Sequence, residues 1–148
     1  MAELNLTQTE ADFLFEMEKV AINEEDWDFP TMGMKVEIPL ISADKKERFL
    51  LDVSRGTIDL KKVKYQNRAR QVVILARLEL SGPPHRNPDD TEIPAPHIHR
   101  YKEGFADRWA YPVPENIFHK MEDQWETLQD FMKLCNVTQK PSIRKVMF

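Results

Sequence analysis

The sequence predicts a single α+β domain over residues 1–148, with an N-terminal helix, an antiparallel sheet of about five or six strands, and a C-terminal helix. Three observations predict it. Apolar residues recur at helical spacing near both ends of the chain, residues of alternating polarity fill the middle, and no repeat, low-complexity tract or Gly/Ser linker divides it.

At the N-terminus, Thr7-Gln8-Thr9-Glu10 has the spacing of a capping box, and Phe13, Leu14, Met17, Val20 and Ala21 follow on one face. The acidic run Asn23-Glu24-Glu25-Asp26 ends that helix. Val36, Ile38 and Leu40 alternate, as do Phe49, Leu51 and Val53 after a charged turn at Asp44-Lys45-Lys46, so two strands are expected. Pro39 lacks a backbone donor, which assigns the first of them to an edge. Beyond Gly56, Ile58 and Leu60 share one parity and Val63 and Tyr65 the other, a phase change that a bulge accommodates. The strongest strand signal covers residues 71–80. Its run Val72-Val73-Ile74-Leu75-Ala76 predicts a central strand covered on both faces, with Arg77 near its end needing a partner or a ligand.

Five of the ten prolines fall within residues 83–96, which predicts a stiff, extended loop. Short strands at 97–102 and 108–113 flank a turn at Gly104. The last helix opens at Pro114, with Glu115 near its positive end. Ile117, Met121, Trp125, Leu128, Met132 and Cys135 form its buried stripe, Asn136 stops it, and a basic, apolar tail covers 139–148. His119 lies in this helix as an exposed or capping side chain, and Trp27 and Trp125 are core or half-buried anchors.

Hydrophobic content of 41% and charged content of 31% exclude wholesale disorder and a membrane span. The first five residues lack a basic region followed by an apolar run, so no secretory signal is expected. With Cys135 the only cysteine, a disulfide framework is excluded and a cytoplasmic location is expected. The net charge of −4 is uneven: residues 1–30 carry nine acidic side chains against Lys19 alone. Residues 55–77 invert the balance, with seven basic side chains against Asp59. Such asymmetry fits an anion-binding face, or equally a solvated strand pair with lysines guarding an edge.

Chemistry-bearing residues concentrate between His85 and Trp109. In an extended chain His97, His99 and Tyr101 share a face, with the two imidazoles about 7 Å apart, and His85 can return to them through the loop. Paired imidazoles supply a general base and a general acid for metal-free RNA cleavage. Arg77 and Arg100 are the candidates for stabilising phosphate charge, and Lys62, Lys64, Arg68, Arg70, Arg86 and Lys102 for holding the nucleic acid. The same three histidines, with Asp89, Asp90 or Glu92, also have the makings of a zinc hydrolase site. The alternative to metal-free RNA cleavage is a non-catalytic interaction protein of a phage or mobile element that docks through the Pro/His-rich loop, with the zinc hydrolase the lesser alternative and no metal assigned. No cofactor is assigned.

The segments His85-Arg86-Asn87-Pro88-Asp89, Pro96-His97-Ile98-His99, Tyr101-Lys102-Glu103-Gly104 and Trp109-Ala110 resemble an uncharacterised family of short bacterial and phage-borne proteins over the central third of the chain. They are also similar to small ribonuclease-type toxins of bacterial toxin–antitoxin pairs, in which an Arg-x-acid strand end leads through an Asn-Pro loop to Pro-His-x-His. Arg77-Leu78-Glu79, His85 and His97-x-His99 occupy those places. The resemblance implies RNA cleavage or binding, with RNA or another phosphate-bearing ligand as partner and an antitoxin as a further one.

Overall fold

Thr7 closes the capping box that its spacing predicts. Its side chain accepts from Glu10 N and Glu10 Oε1 accepts from Thr7 N, and α1 (Gln8–Glu16) follows. The computed structural model describes residues 5–145; positions 1–4, read above for a leader, and 146–148, the end of the basic tail, lie outside the described residues. The helix stops before Val20 and Ala21, which enter β1 (Lys19–Ala21), and its buried side is Ala11, Leu14 and Phe15, leaving Phe13 in solvent. A buried cation accounts for the stop. Lys19 Nζ donates to the carbonyls of Phe15 (2.7 Å), Met17 (3.0 Å) and Cys135 (2.7 Å), and lies 4.8 Å from the centre of the Phe49 ring. These carbonyls close α1 and the second helix, α2 (Gln124–Leu134), where a positive charge is favoured. Burial pushes the Lys19 ammonium down to about 8.

The strands run in chain order from β1 through β2 (Asp26–Asp28), β3 (Lys35–Ser42), β4 (Arg48–Arg55), β5 (Val63–Ala69), β6 (Val73–Glu79), β7 (His85–Arg86), β8 (Glu92–Ile93), β9 (His97–Arg100), β10 (Ala110–Pro112), β11 (Val137–Gln139) and β12 (Ser142–Arg144). Eight of them form one sheet in the order β10-β9-β6-β5-β4-β3-β1-β11, and β2 with β12 and β7 with β8 make two small pairs. The fold is α+β as predicted, but the main sheet is larger than expected. It is also mixed, because β11 returns parallel to β1.

Four local expectations change. β3 is interior, although its pairing with β1 ends at Leu40, so Pro39 needs no donor on that side. The parity break after Gly56 is a loop, with Ile58 99% exposed, and the bulge lies instead between Asn67 and Arg68. The proline-rich stretch carries the β7–β8 hairpin. Finally, α2 begins ten residues later than expected: the Pro114 carbonyl supports only one turn, accepting from Ile117 N and Phe118 N, whereas Asp123 Oδ1 caps Trp125 N and Glu126 N. His119 is therefore exposed in the turns before α2. Asn136, at φ 60°, stops the helix as expected. No helix among the described residues is long and apolar enough to cross a membrane.

Strand parity gives the main sheet two unlike faces. Ile38, Leu40, Phe49, Leu51, Val53, Val63, Tyr65, Leu78 and Ile98 join the core against Leu14 and Phe15 of α1 and Leu128, Phe131 and Met132 of α2. Tyr65 meets Phe131 at 6.0 Å between ring centres, and its hydroxyl donates to the Gln124 carbonyl. The opposite face is polar, and pairing lines up two rungs across it. One runs Glu37, Asp52, Gln66, Arg77, His99; its neighbour runs Lys35, Ser54, Lys64, Glu79, His97. Each rung ends on a histidine of β9.

Candidate metal centre

His97 and His99 alternate with Ile98 on β9, so both imidazoles leave the polar face beside β6 while Ile98 enters the core. The β7–β8 hairpin and the 102–109 loop fold over them, leaving the two residues 3% and 1% exposed. Asn87 fastens that cover. Buried beneath the hairpin, it donates to the Ala110 carbonyl (3.0 Å) and accepts from Ala110 N (2.8 Å).

The cover also sets the tautomers. His97 Nδ1 lies 3.1 Å from the Ile93 carbonyl and His99 Nδ1 lies 2.8 Å from the Asp107 carbonyl. A carbonyl oxygen can only accept, so each Nδ1 carries a hydrogen and a neutral ring holds its lone pair on Nε2. Both Nε2 atoms point at Glu79 Oε1, at 3.5 Å from His97 and 2.9 Å from His99. His99 Nε2 is buried and has no hydrogen-bond partner.

A lone pair and a carboxylate oxygen at that separation require positive charge between them. A proton on His99 Nε2 is one source; the hydrogen bond it donates, followed by the charges of Arg77 and Lys64, holds the Glu79 carboxyl well below the usual carboxylate range against the opposing effect of burial. A divalent metal ion is the other source, and it satisfies both imidazoles at once. Glu79, His97 and His99 offer ligand atoms within 4.8 Å of one another. Tetrahedral zinc, with bonds of about 2.0–2.1 Å, places its ligand atoms about 3.3 Å apart. The observed 2.9 and 3.5 Å straddle that figure. Hydrogen bonding of each ligating ring to a main-chain carbonyl is the usual support for a metal-bound histidine.

Around this trio, Arg77 Nε lies 3.5 Å from Glu79 Oε1 while its Nη1 donates to Asp107 Oδ2 at 2.7 Å. Lys64 Nζ lies 3.6 Å from Glu79 Oε2. His85, on β7 of the covering hairpin, packs 4.5 Å from the His99 ring and 6.1 Å from the His97 ring, with Nε2 2.8 Å from the Arg108 carbonyl.

The other predicted site residues disperse. Tyr101 lies beyond the end of β9 and turns into the core, where its hydroxyl accepts from Leu6 N and donates to Leu6 O, so it does not extend the histidine row. Arg100 is on the helix side of the sheet, 3.9 Å above the Phe15 ring, away from the histidines. The basic residues do not form one stripe. Arg68 is held by Asp52 and Glu37, Arg70 by Glu47 and Arg86 by Glu92, Lys102 stacks over Trp109, and Lys62 is exposed beside Gly56. Asp89 accepts from Thr91 N and Asp90 adopts φ 71°, so both shape the hairpin turn, as Glu92 does through Arg86. The carboxylate that meets the histidines is Glu79. The signal for it was a glutamate two residues after Arg77, and therefore on the same face, in a strand expected to be covered.

No curated protein and no solved structure matches the chain. A family model does match it, over residues 6–137, a span that takes in both helices, Glu79 and the three clustered histidines. The chain belongs to that family, described as a family of unknown function, DUF6978.

Proposed function

We propose that this protein is a divalent-metal-dependent hydrolase whose ion, zinc in the first instance, is held by Glu79, His97 and His99. The observation that carries the reading is the convergence of two Nε2 lone pairs on Glu79, with both Nδ1 atoms committed to main-chain carbonyls. Two histidines and a glutamate with an open fourth position are a known catalytic zinc set. A metal in that position lowers the pKa of its bound water towards 7, which makes hydroxide available near neutral pH. His85, on the covering hairpin, packs its ring 4.5 Å from that of His99, with its Nε2 engaged by the Arg108 carbonyl.

The metal-free ribonuclease reading needs imidazole nitrogens free to exchange protons with a phosphodiester, whereas both rings are held at Nδ1 by main-chain carbonyls and face Glu79 at Nε2, so the geometry supports it less well. The test is metal analysis of untagged protein, followed by zinc titration of the chelator-treated chain. One equivalent of zinc is expected, with affinity reduced at least ~10²-fold in His97→Ala, His99→Ala and Glu79→Gln, beyond the effect of losing an outer partner. Protein that takes up no zinc, cobalt or manganese yet degrades RNA would reinstate the acid–base pair. Tight metal with no hydrolysis of any ester would leave a structural ion in an interaction protein.

A further inference from the structure

We infer that the molecule bound beside this centre, against Lys64 and Arg77, is a phosphate monoester dianion; the inference rests on the metal reading above. Charge is the first ground. The ion brings two positive charges, the two histidines are neutral ligands, and Glu79 returns one negative charge. Glu79 is also the carboxylate that balances Lys64, at 3.6 Å, and it contacts Arg77 at 3.5 Å. Once Glu79 is shared with the ion, Lys64 loses its counter-charge, while Arg77 keeps Asp107. Before any water on the ion is deprotonated, the loaded centre and Lys64 would then carry an excess of about two positive charges, which a dianion cancels and a diester monoanion does not.

Shape is the second ground. A cleft of about 240 Å³ runs along the two rungs away from the histidines, lined by Lys64, Gln66, Arg77, Ser54, Lys35 and Arg68 among others. Its acidic residues, Glu37 and Asp52, are both engaged by Arg68 and Glu37 also by Lys35, so two cations answer their two charges within the cleft wall. Lys64 and Arg77 border both the cleft and Glu79, so a phosphoryl group between them and the ion leaves the rest of the ester in the cleft. Hydrolysis there forms a bond from water oxygen to phosphorus and breaks the ester P–O bond. The leaving oxygen keeps the bonding pair and takes up the proton that the water gives up, so the products are an alcohol and inorganic phosphate.

The experiment uses the full chain loaded with cobalt(II), its stoichiometry measured first. Inorganic phosphate is titrated against the visible absorption of the bound cobalt. The spectrum should change at saturation, and phosphate affinity should fall about tenfold or more in Lys64→Gln, a variant of a side chain 44% exposed, with cobalt still bound. Arg77→Gln should act in the same direction. A chromogenic aryl phosphate monoester should be hydrolysed faster than the matching diester. A cobalt spectrum indifferent to phosphate, an unchanged affinity in Lys64→Gln, or a preference for the diester overturns the substrate assignment and leaves the metal centre standing. Failure to bind cobalt overturns both.

Discussion

Glu79 connects the site to the stability of the metal-free chain. Its side chain is 19% exposed, and the hydrogen bond from His99, reinforced by the charges of Arg77 and Lys64, keeps its carboxyl low. A carboxyl with a depressed folded-state pKa contributes stability above its unfolded value, near about 4.3, and loses it as pH falls towards the folded value. With chelator present, wild-type melting temperature should therefore drop more steeply below about pH 4.5 than that of Glu79→Gln. Parallel slopes by circular dichroism would show that the carboxylate is not held in this way. Lys19 shows the limit of reading single residues from sequence. It is the one basic residue in an acidic stretch, and its partners are the main-chain carbonyls of residues 15, 17 and 135, which no side-chain pattern announces.

At the level of elements, the β7–β8 hairpin is the device that buries two histidines and orients their rings. It hangs from β10 through Asn87, whose two bonds to Ala110 are both buried. Asn87→Ala removes both and strands a main-chain N–H and C=O, so it should cost about 2 kcal/mol or more in urea denaturation. Zinc affinity should fall with it, by roughly tenfold, because the Ile93 carbonyl that orients His97 belongs to the same hairpin. Unchanged stability would mean that the cover is fastened elsewhere. The proline density of this stretch was legible, but its pairing was not, since β7 and β8 are two residues each and carry no periodicity. The parity of His97 and His99 was legible because β9 is regular. Tyr101 was misread because that strand ends at Arg100. Glu79 could be joined to the histidines only through the register of β6 against β9, which pairs it with His97. Pro114 misled for a related reason, because a single turn satisfies its carbonyl as well as a helix would.

Across the whole molecule, the α+β class followed from periodicity, whereas the mixed sheet did not. Val20 and Ala21 have helical spacing in the sequence, but a parallel partner more than a hundred residues away recruits β1. The sheet therefore brings together segments near the two ends of the described chain at one edge, and the histidine cluster on β9 lies five strand spacings away from β1, about 24 Å. Cys135 sits at the junction of that closure, 1% exposed, where burial pushes its thiol up to about 12. It is also the only sulfhydryl in the chain. A thiol reagent can reach it only when the end of α2 lifts away from β1 and Lys19, so the chain carries its own single-site clock for that opening. In reagent excess, the labelling rate of native protein relative to denatured protein should match the unfolding equilibrium measured in urea. Labelling that runs far ahead of this ratio would show that the terminal edge opens as a separate unit while the histidine edge stays closed.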